Sequence, residues 1–344
     1  MCGICGIYQT KKIDEAELKE AVKKMNASQK NRGPDDEGIL IDSFSVYPRR
    51  YPRQSASIAV GHRRLSIIDL SKAGHQPMVF NIWTSDVHRT SDVPKLAITF
   101  NGEIYNFLEL KKKLEKKAYR FKTKTDTEVI LALYDRYGEK SFTMLRGMFA
   151  FGLWDQKNQK LFLVKDRYGI KPLYYYSDKE KLVFASTVKA IIQSGIVPLQ
   201  KNPDAYIGFL LFGSVPLPMT TIKDVLAVPA GHYLVREADG KQKLIQYYDP
   251  LKFFNIRTSD VLNIKIDDNF GTSDVQKIVS RTRALLEDSV RHHLISDAPL
   301  GVFLSGGLDS SAIAALAANV RTSDVHNIDG NNFGTSDVPR LITL

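Results

Sequence analysis

The sequence predicts an α+β protein in which two sheets carry helices on their outer faces, followed by a shorter strand–loop–helix segment. Three observations predict it. Short strand-like runs interleave with a few helical ones from residue 2 to residue 249. Composition is that of an ordinary globular chain, 43% hydrophobic and 25% charged with 22 Gly and 14 Pro, which excludes collagenous, coiled-coil and wholly disordered classes. Near the C-terminal end a glycine-rich loop, Ser305–Ser311, stands between an apolar run and a helical run. The 344 residues leave room for two domains. No apolar run approaches the roughly 20 residues of a membrane span, the longest being of the kind seen at Ala312–Val320. No signal-like apolar region opens the chain, and two cysteines make no disulfide scaffold. A cytoplasmic protein without membrane association is expected.

In chain order, residues 2–8 read as a strand with Gly where backbones approach closely. Glu15–Lys30 has helical spacing. Asp35-Asp36-Glu37 follows Gly33-Pro34 and reads as a solvated loop rather than a metal or acid/base site. Ile58–His62, Leu96–Asn101, Phe149–Asp155, Lys160–Lys165 and, more weakly, Leu182–Ala185 are strand-like. A hairpin connection is expected between Pro77 and Leu96. Asn106–Lys117, Thr127–Tyr137 and Thr187–Ser194 read as helices, with Asp126 a possible N-cap for the second. Asn101-Gly102 is also a strong short turn signal. The net charge of +10 raises nucleic acid or a polyphosphate as partner. Its one cluster, Lys111–Lys113 with Lys116, Lys117, Arg120, Lys122 and Lys124, falls opposite Phe107, Leu108, Leu110 and Leu114 on the first of these helices. That is a solvated face, so no nucleic-acid partner is expected.

Thr-Ser-Asp-Val occurs six times, beginning at Thr84, Thr90, Thr258, Thr272, Thr322 and Thr335. The spacing is too irregular for a solenoid or propeller. The preceding residues (Trp83, Arg89, Arg257, Gly271, Arg321, Gly334) all have codons ending in GG. The following ones (His88, Pro94, Leu262, Gln276, His326, Pro339) all have codons beginning with C. What is repeated therefore reads as a DNA word that overruns the codon frame, inserted into the gene rather than selected as protein. Codons that vary freely among the six copies in the gene sequence would refute this. The alternative is a polar ligand or phosphorylation motif.

Cys2 becomes the first residue once Met1 is removed. An N-terminal cysteine carries its own base, because an α-amine titrating near pH 8 accepts the thiol proton around neutrality. The Cys2-x-x-Cys5 spacing leaves two other readings open, a redox pair and inert core thiols. Zinc is not expected, since a second Cys pair is lacking and the seven His are dispersed.

Further motifs follow in order: Asn31-Arg-Gly-Pro-Asp-Asp-Glu-Gly38, Gly61-His-Arg-Arg-Leu-Ser-Ile-Ile-Asp69, Phe100-Asn-Gly-Glu-Ile-Tyr-Asn106 and Thr125-Asp-Thr-Glu128. Arg146-Gly-Met-Phe-Ala-Phe151 and Lys165-Asp-Arg-Tyr-Gly-Ile-Lys-Pro-Leu-Tyr174 complete the set. Together with Cys2 they closely resemble class II glutamine amidotransferases, and within them the glutaminase half of glutamine-dependent asparagine synthetases. The resemblance covers residues 2–249 and implies an N-terminal-nucleophile hydrolase fold, a four-layer αββα sandwich. By the same resemblance Cys2 attacks the side-chain amide of glutamine, forming a thioester and releasing ammonia, with no cofactor for this step. Asn101 and the Gly102 N–H would form the oxyanion hole. Arg64 would pair with the glutamine α-carboxylate. Glu103 and Asp126 would take the α-ammonium, and Leu65, Ser66, Ile67 and Ile68 would line the pocket. Thr187 stands where the family usually carries Glu.

The segment after Leu300-Gly-Val-Phe-Leu304, read as a buried strand, forms an anion site of the strand–loop–helix kind. It has no Gly-Lys-Ser/Thr, so it is not a Walker A loop. It is similar to the PP-loop of the adenine nucleotide α-hydrolase-like synthetases. This implies ATP binding by Leu304, Ser305, Gly306, Gly307, Leu308, Asp309 and Ser310, with Asp309 helping to hold Mg²⁺. The family reaction is ATP-dependent amidation of aspartate to asparagine. Residues 250–344 are expected to form an incomplete α/β domain. Only 51 of the 94 residues from Leu251 lie outside the repeat-bearing stretches 257–275 and 321–344, too few for a closed sheet. A truncated synthetase that hydrolyses glutamine but makes no asparagine unaided is the leading expectation. The alternatives are a free-standing glutaminase or regulatory subunit working with a separately encoded C-terminal half, a pseudogene product, or an amidotransferase for another carboxylate. A homodimer is expected by resemblance.

Overall fold

The computed structural model describes residues 1–10, 14–46, 54–81, 95–252, 272–319 and 342–343. By contacts the chain divides into two compact units, Met1–Ser66 with Ser71–Asp249, and Ile67–Leu70 with Pro250–Leu344.

The first unit is built of strands β1 (Gly3–Gln9), β2 (Asp36–Val46), β3 (Gln54–Arg64), β4 (Met78–Asn81), β5 (Lys95–Ile104) and β6 (Gly147–Asp155). They are followed by β7 (Lys160–Lys165), β8 (Tyr174–Ser177), β9 (Lys181–Ala185), β10 (Val225–Ala227), β11 (His232–Glu237) and β12 (Gln242–Gln246). They form two six-stranded antiparallel sheets, ordered β10-β8-β9-β1-β3-β2 and β12-β11-β7-β6-β5-β4. Strand alternation sends one face of each sheet inward. Ile4, Tyr8, Ile58, Val60 and Phe184 of the first sheet meet Ala97, Ala150, Trp154, Leu161 and Leu163 of the second in one buried cluster. Gly6 and Gly152 make room for the Phe184 ring, which a Cβ at either position would overlap. The glycines of β1 thus make way for side chains, Gln29 at Gly3 and Phe184 at Gly6, rather than for the close backbone approach expected.

Helices cover the outer faces. Helix α1 (Glu15–Ala27) and α4 (Val188–Gln193) bury Leu18, Val22, Met25 and Ile191 against Cys5, Ile7, Ala59 and Val183. Beyond the second sheet lie α2 (Phe107–Glu115) and α3 (Asp126–Tyr137), with an aromatic layer of Tyr134, Phe142, Phe149, Phe151, Phe162 and Tyr233 at centroid spacings of 5.2–6.1 Å. The order is helix, sheet, sheet, helix, the αββα sandwich expected. A further helix, α5 (Pro203–Phe212), is apolar along its length and leaves Leu210, Leu211 and Phe212 exposed.

Several expectations are corrected. Asp36-Glu37 is no loop but the start of β2, where Glu37 pairs with Arg63 at 2.5 Å and Asp36 with His75 at 2.7 Å. Asn101-Gly102 makes no hairpin turn, because β5 continues through it to Ile104. The helix expected from Thr127, α3, begins at Asp126, and its N-cap is Thr125, whose hydroxyl accepts from Glu128 N–H at 3.3 Å. Thr187 has a local role, capping α4 by accepting from Ala190 N–H at 3.2 Å. The hairpin expected around the first repeat pair is present: β4 pairs with β5, Asn81 opposite Lys95. Both copies within it lie outside the described residues, as do the copies at Thr258, Thr322 and Thr335.

In the second unit, α6 (Thr272–His293) begins on the fourth Thr-Ser-Asp-Val copy. Strand β13 (Gly301–Val302) pairs in parallel with β14 (Ile342–Thr343), and α7 (Leu308–Asn319) follows the glycine-rich loop. The buried strand expected over Leu300–Leu304 is reduced to two residues, and Phe303 is 82% exposed. Helix α7 also starts earlier than Ala312, so Leu308, Asp309 and Ser310 are its first turn. Among the described residues, Ala317 is the one buried hydrophobic side chain of this unit.

Candidate active site

The site of the first unit lies at one end of the inter-sheet space. Cys2 precedes β1 and, by alternation, shares the inward face of Ile4, whereas Cys5 faces outward into the α1 cluster. In an extended strand, residues three apart are about 10 Å from one another, beyond any disulfide. The redox and metal readings of the Cys-x-x-Cys spacing therefore fail. Both cysteines are free, Cys2 half-buried and Cys5 buried.

Cys2 Sγ accepts from Leu65 N–H at 3.3 Å, and its thiol reaches the Leu65 carbonyl oxygen at 3.6 Å. The turn bearing Leu65 is held by Asp35, whose carboxylate accepts from Ser66 N–H at 2.7 Å. Burial pushes the Cys2 thiol above its ordinary range, and the Leu65 N–H opposes that only in part. The thiol thus needs a base. The Met1 terminal ammonium at this end of β1 is pushed down by burial.

Asn101 is fully buried on β5, and neither its side-chain nitrogen nor its oxygen has a partner among the described residues. A buried amide left unpaired is costly unless a ligand completes it. At Gly102 a Cβ would collide with the Met148 carbonyl and Phe149, so only glycine lets β5 and β6 close here. Arg64 is buried, and its Nη1 donates to the Ser71 carbonyl at 2.7 Å. Gly74 lies flat against the guanidinium, where any Cβ would overlap it. Asp126 is buried at the N-terminus of α3 and accepts from Ile104 N–H at 2.9 Å. Burial pushes its carboxyl up to about 7, against the pull of that N–H. Burial likewise raises Glu103, partly offset by Lys171. Ile67 and Ile68 cluster with the second unit rather than with these residues.

Three further residues belong to this neighbourhood. Arg32 Nε donates to the Cys2 carbonyl at 3.0 Å, fixing the strand end that carries the thiol. Lys171 is buried, its ammonium pushed down by burial while Glu103 and Cys2 act to raise it. Asp166 is fully buried and accepts from the backbone N–H groups of Phe149, Tyr168, Ile170 and Lys171, which shapes the loop presenting Lys171. All three fall inside recognisable motifs, but nothing in their spacing assigns them a contact. In the second unit, Gly306 has φ +77°, a conformation glycine supplies cheaply, and Ser305 Oγ lies 3.0 Å from Ser310 Oγ. No cluster of three or more His, Cys, Asp or Glu among the described residues is placed to hold a metal.

A glutamine amidotransferase domain model matches residues 1–248. The chain belongs to this glutamine amidotransferase family. A second model, asparagine synthase, matches residues 281–330. The putative glutamine-hydrolysing asparagine synthetase 2 of Methanocaldococcus jannaschii is 36% identical over 92% of this chain and 56% of its own length. The glutamine-hydrolysing asparagine synthetase 1 of Bacillus subtilis is 34% identical over 94% of this chain and 45% of its own. The chain thus spans about half the length of the curated relatives it matches. The solved glutamine phosphoribosylpyrophosphate amidotransferase of Bacillus subtilis aligns over 92% of this chain and 64% of its own at 19% identity, with a TM-score of 0.46. No helix among the described residues is long and apolar enough to cross a membrane.

Proposed function

We propose that this amidotransferase unit hydrolyses glutamine to glutamate and ammonia. The observation that carries the reading is the combination of an inward-facing Cys2, next to the Leu65 N–H, with Asn101, a buried amide without a partner among the described residues. Once Met1 is removed, the Cys2 α-amine takes the thiol proton and Sγ attacks the amide carbon. The C–N bond breaks as that proton passes to the leaving nitrogen, giving ammonia and a γ-glutamyl thioester. Water then cleaves the thioester, restoring the thiol and releasing glutamate. Asn101 Nδ2 and the Gly102 N–H stabilise the oxyanion of each tetrahedral intermediate, each donor worth a few kcal/mol. Arg64 pairs with the α-carboxylate, Asp126 and Glu103 with the α-ammonium, and Leu65 and Ser66 border the pocket.

The ammonia serves an ATP-dependent amidation, with aspartate the acceptor suggested by what the relatives are named for. Residues Leu304–Ser310 offer ATP a backbone cradle at the head of α7. Asp309 is the one carboxylate of that loop among the described residues and would help to hold Mg²⁺ there. The described second unit buries almost none of its apolar residues. The 344-residue chain is therefore expected to release ammonia without ATP and to form no asparagine by itself. Incubating it with glutamine after confirming Met1 removal by mass spectrometry tests this. Ammonia release at an ordinary enzymatic rate, abolished in Cys2→Ala, is the expected result; equal release by both proteins sinks the proposal.

A further inference from the structure

His62 and Thr99 occupy the inter-sheet space one side-chain step deeper than the site residues. His62 is two residues before Arg64 on β3, and Thr99 two before Asn101 on β5, so each shares the inward face of its neighbour about 7 Å away. Both are fully buried. His62 Nδ1 lies 3.1 Å from Thr99 Oγ1, and the Thr99 hydroxyl donates to the Gly61 carbonyl at 3.0 Å. A hydroxyl has one proton, and here it is committed to Gly61. The Thr99 oxygen then accepts from His62, which fixes the neutral ring in its Nδ1–H tautomer. The Nε2 lone pair is left without a partner among the described residues. This relay joins β3 of one sheet to β5 of the other, and the two strands belong to different hydrogen-bonded sheets that apolar packing alone would let slide.

We propose that the His62–Thr99–Gly61 relay is a positioning device for amide hydrolysis, setting the gap between the sheet that carries Cys2 and Arg64 and the sheet that carries Asn101 and Gly102. It touches neither substrate nor reacting atoms. It rests on the glutaminase reading, because a fixed gap matters where nucleophile and oxyanion donors come from opposite sheets. Misplacing such groups by about 1 Å costs up to about a hundredfold in rate.

The test separates the hydroxyl from the shape it fills. Thr99→Val keeps the shape and loses the hydrogen bonds; Thr99→Ser keeps the hydroxyl and loses a methyl group. With glutamine as substrate, Thr99→Val is expected to lower kcat about tenfold with KM changed less than threefold, while Thr99→Ser stays within twofold of the parent. A packing role alone predicts the reverse order, and that order, or two variants equal to the parent, overturns the proposal. Should Thr99→Val fail to fold, nitrogen NMR of the unmodified protein at neutral pH reads the His62 tautomer directly. Nδ1–H supports the relay and Nε2–H refutes it. A parent protein that releases no ammonia would strike the glutaminase reading instead, and the tautomer would still decide the relay.

Discussion

Asp126 ties the local structure to a pH dependence. Its carboxyl is pushed up to about 7 from an ordinary 3.8, so the native state holds a proton that the unfolded chain releases between about pH 4 and 7. Stability contributed by this group therefore falls as pH rises through that window. Asp126→Asn is expected to raise unfolding free energy by about 1–3 kcal/mol at pH 8, with little change at pH 4, as followed by urea denaturation. The same variant should raise KM for glutamine, since on the proposed reading the charged carboxylate binds the ammonium, and the parent KM should climb as pH falls below about 7. Gly74 gives a second residue-scale prediction. Because a side chain there overlaps the Arg64 guanidinium, Gly74→Ala should raise KM at least tenfold with a smaller effect on kcat. Cys2 and Arg64 were legible in the sequence by residue type and motif. The contacts of Arg32, Lys171 and Asp166 were not, because they depend on which strand ends meet.

At the scale of elements, β1, β5, β6, β7 and α3 were readable from periodicity and apolar runs. β2 was missed because its first residues, Asp36 and Glu37, are charged and pair sideways with His75 and Arg63 at the sheet edge. Short strands such as β8 and β10 carry too few residues to show a period. The entry to α3 is the element most exposed to a single change. Thr125 caps it, and Glu128 accepts from the backbone N–H groups of Lys122 and Thr123 at 2.9 and 2.6 Å, so the cap and the preceding loop hold each other. Thr125→Ala is expected to cost about 1 kcal/mol in thermal or urea unfolding, and to raise KM for glutamine by shifting the neighbouring Asp126.

At the scale of the whole molecule, the pairing of Asn81 with Lys95 shows that β4 and β5 need only a short link. Replacing residues 82–94, which carry two Thr-Ser-Asp-Val copies, by Asn-Gly should keep kcat and KM within twofold. It should also raise stability by about 1 kcal/mol through reduced loop-closure entropy, read by denaturant titration. A large loss of activity would show that the repeats do more than lengthen a connection. By itself the sequence determined the fold class, the proposed nucleophile as a candidate, the order of the motifs and the place of the glycine-rich loop. These are written in local residue types, strand alternation and helix spacing, all within a few positions of one another. Only the tertiary structure decided that Cys2 and Cys5 face apart, that Asn101 lies buried within a continuing strand without a partner among the described residues, that Gly74 abuts Arg64, and that His62 meets Thr99 across the sheets. Each of those depends on residues brought together from distant parts of the chain by packing, and no local pattern encodes such a distance.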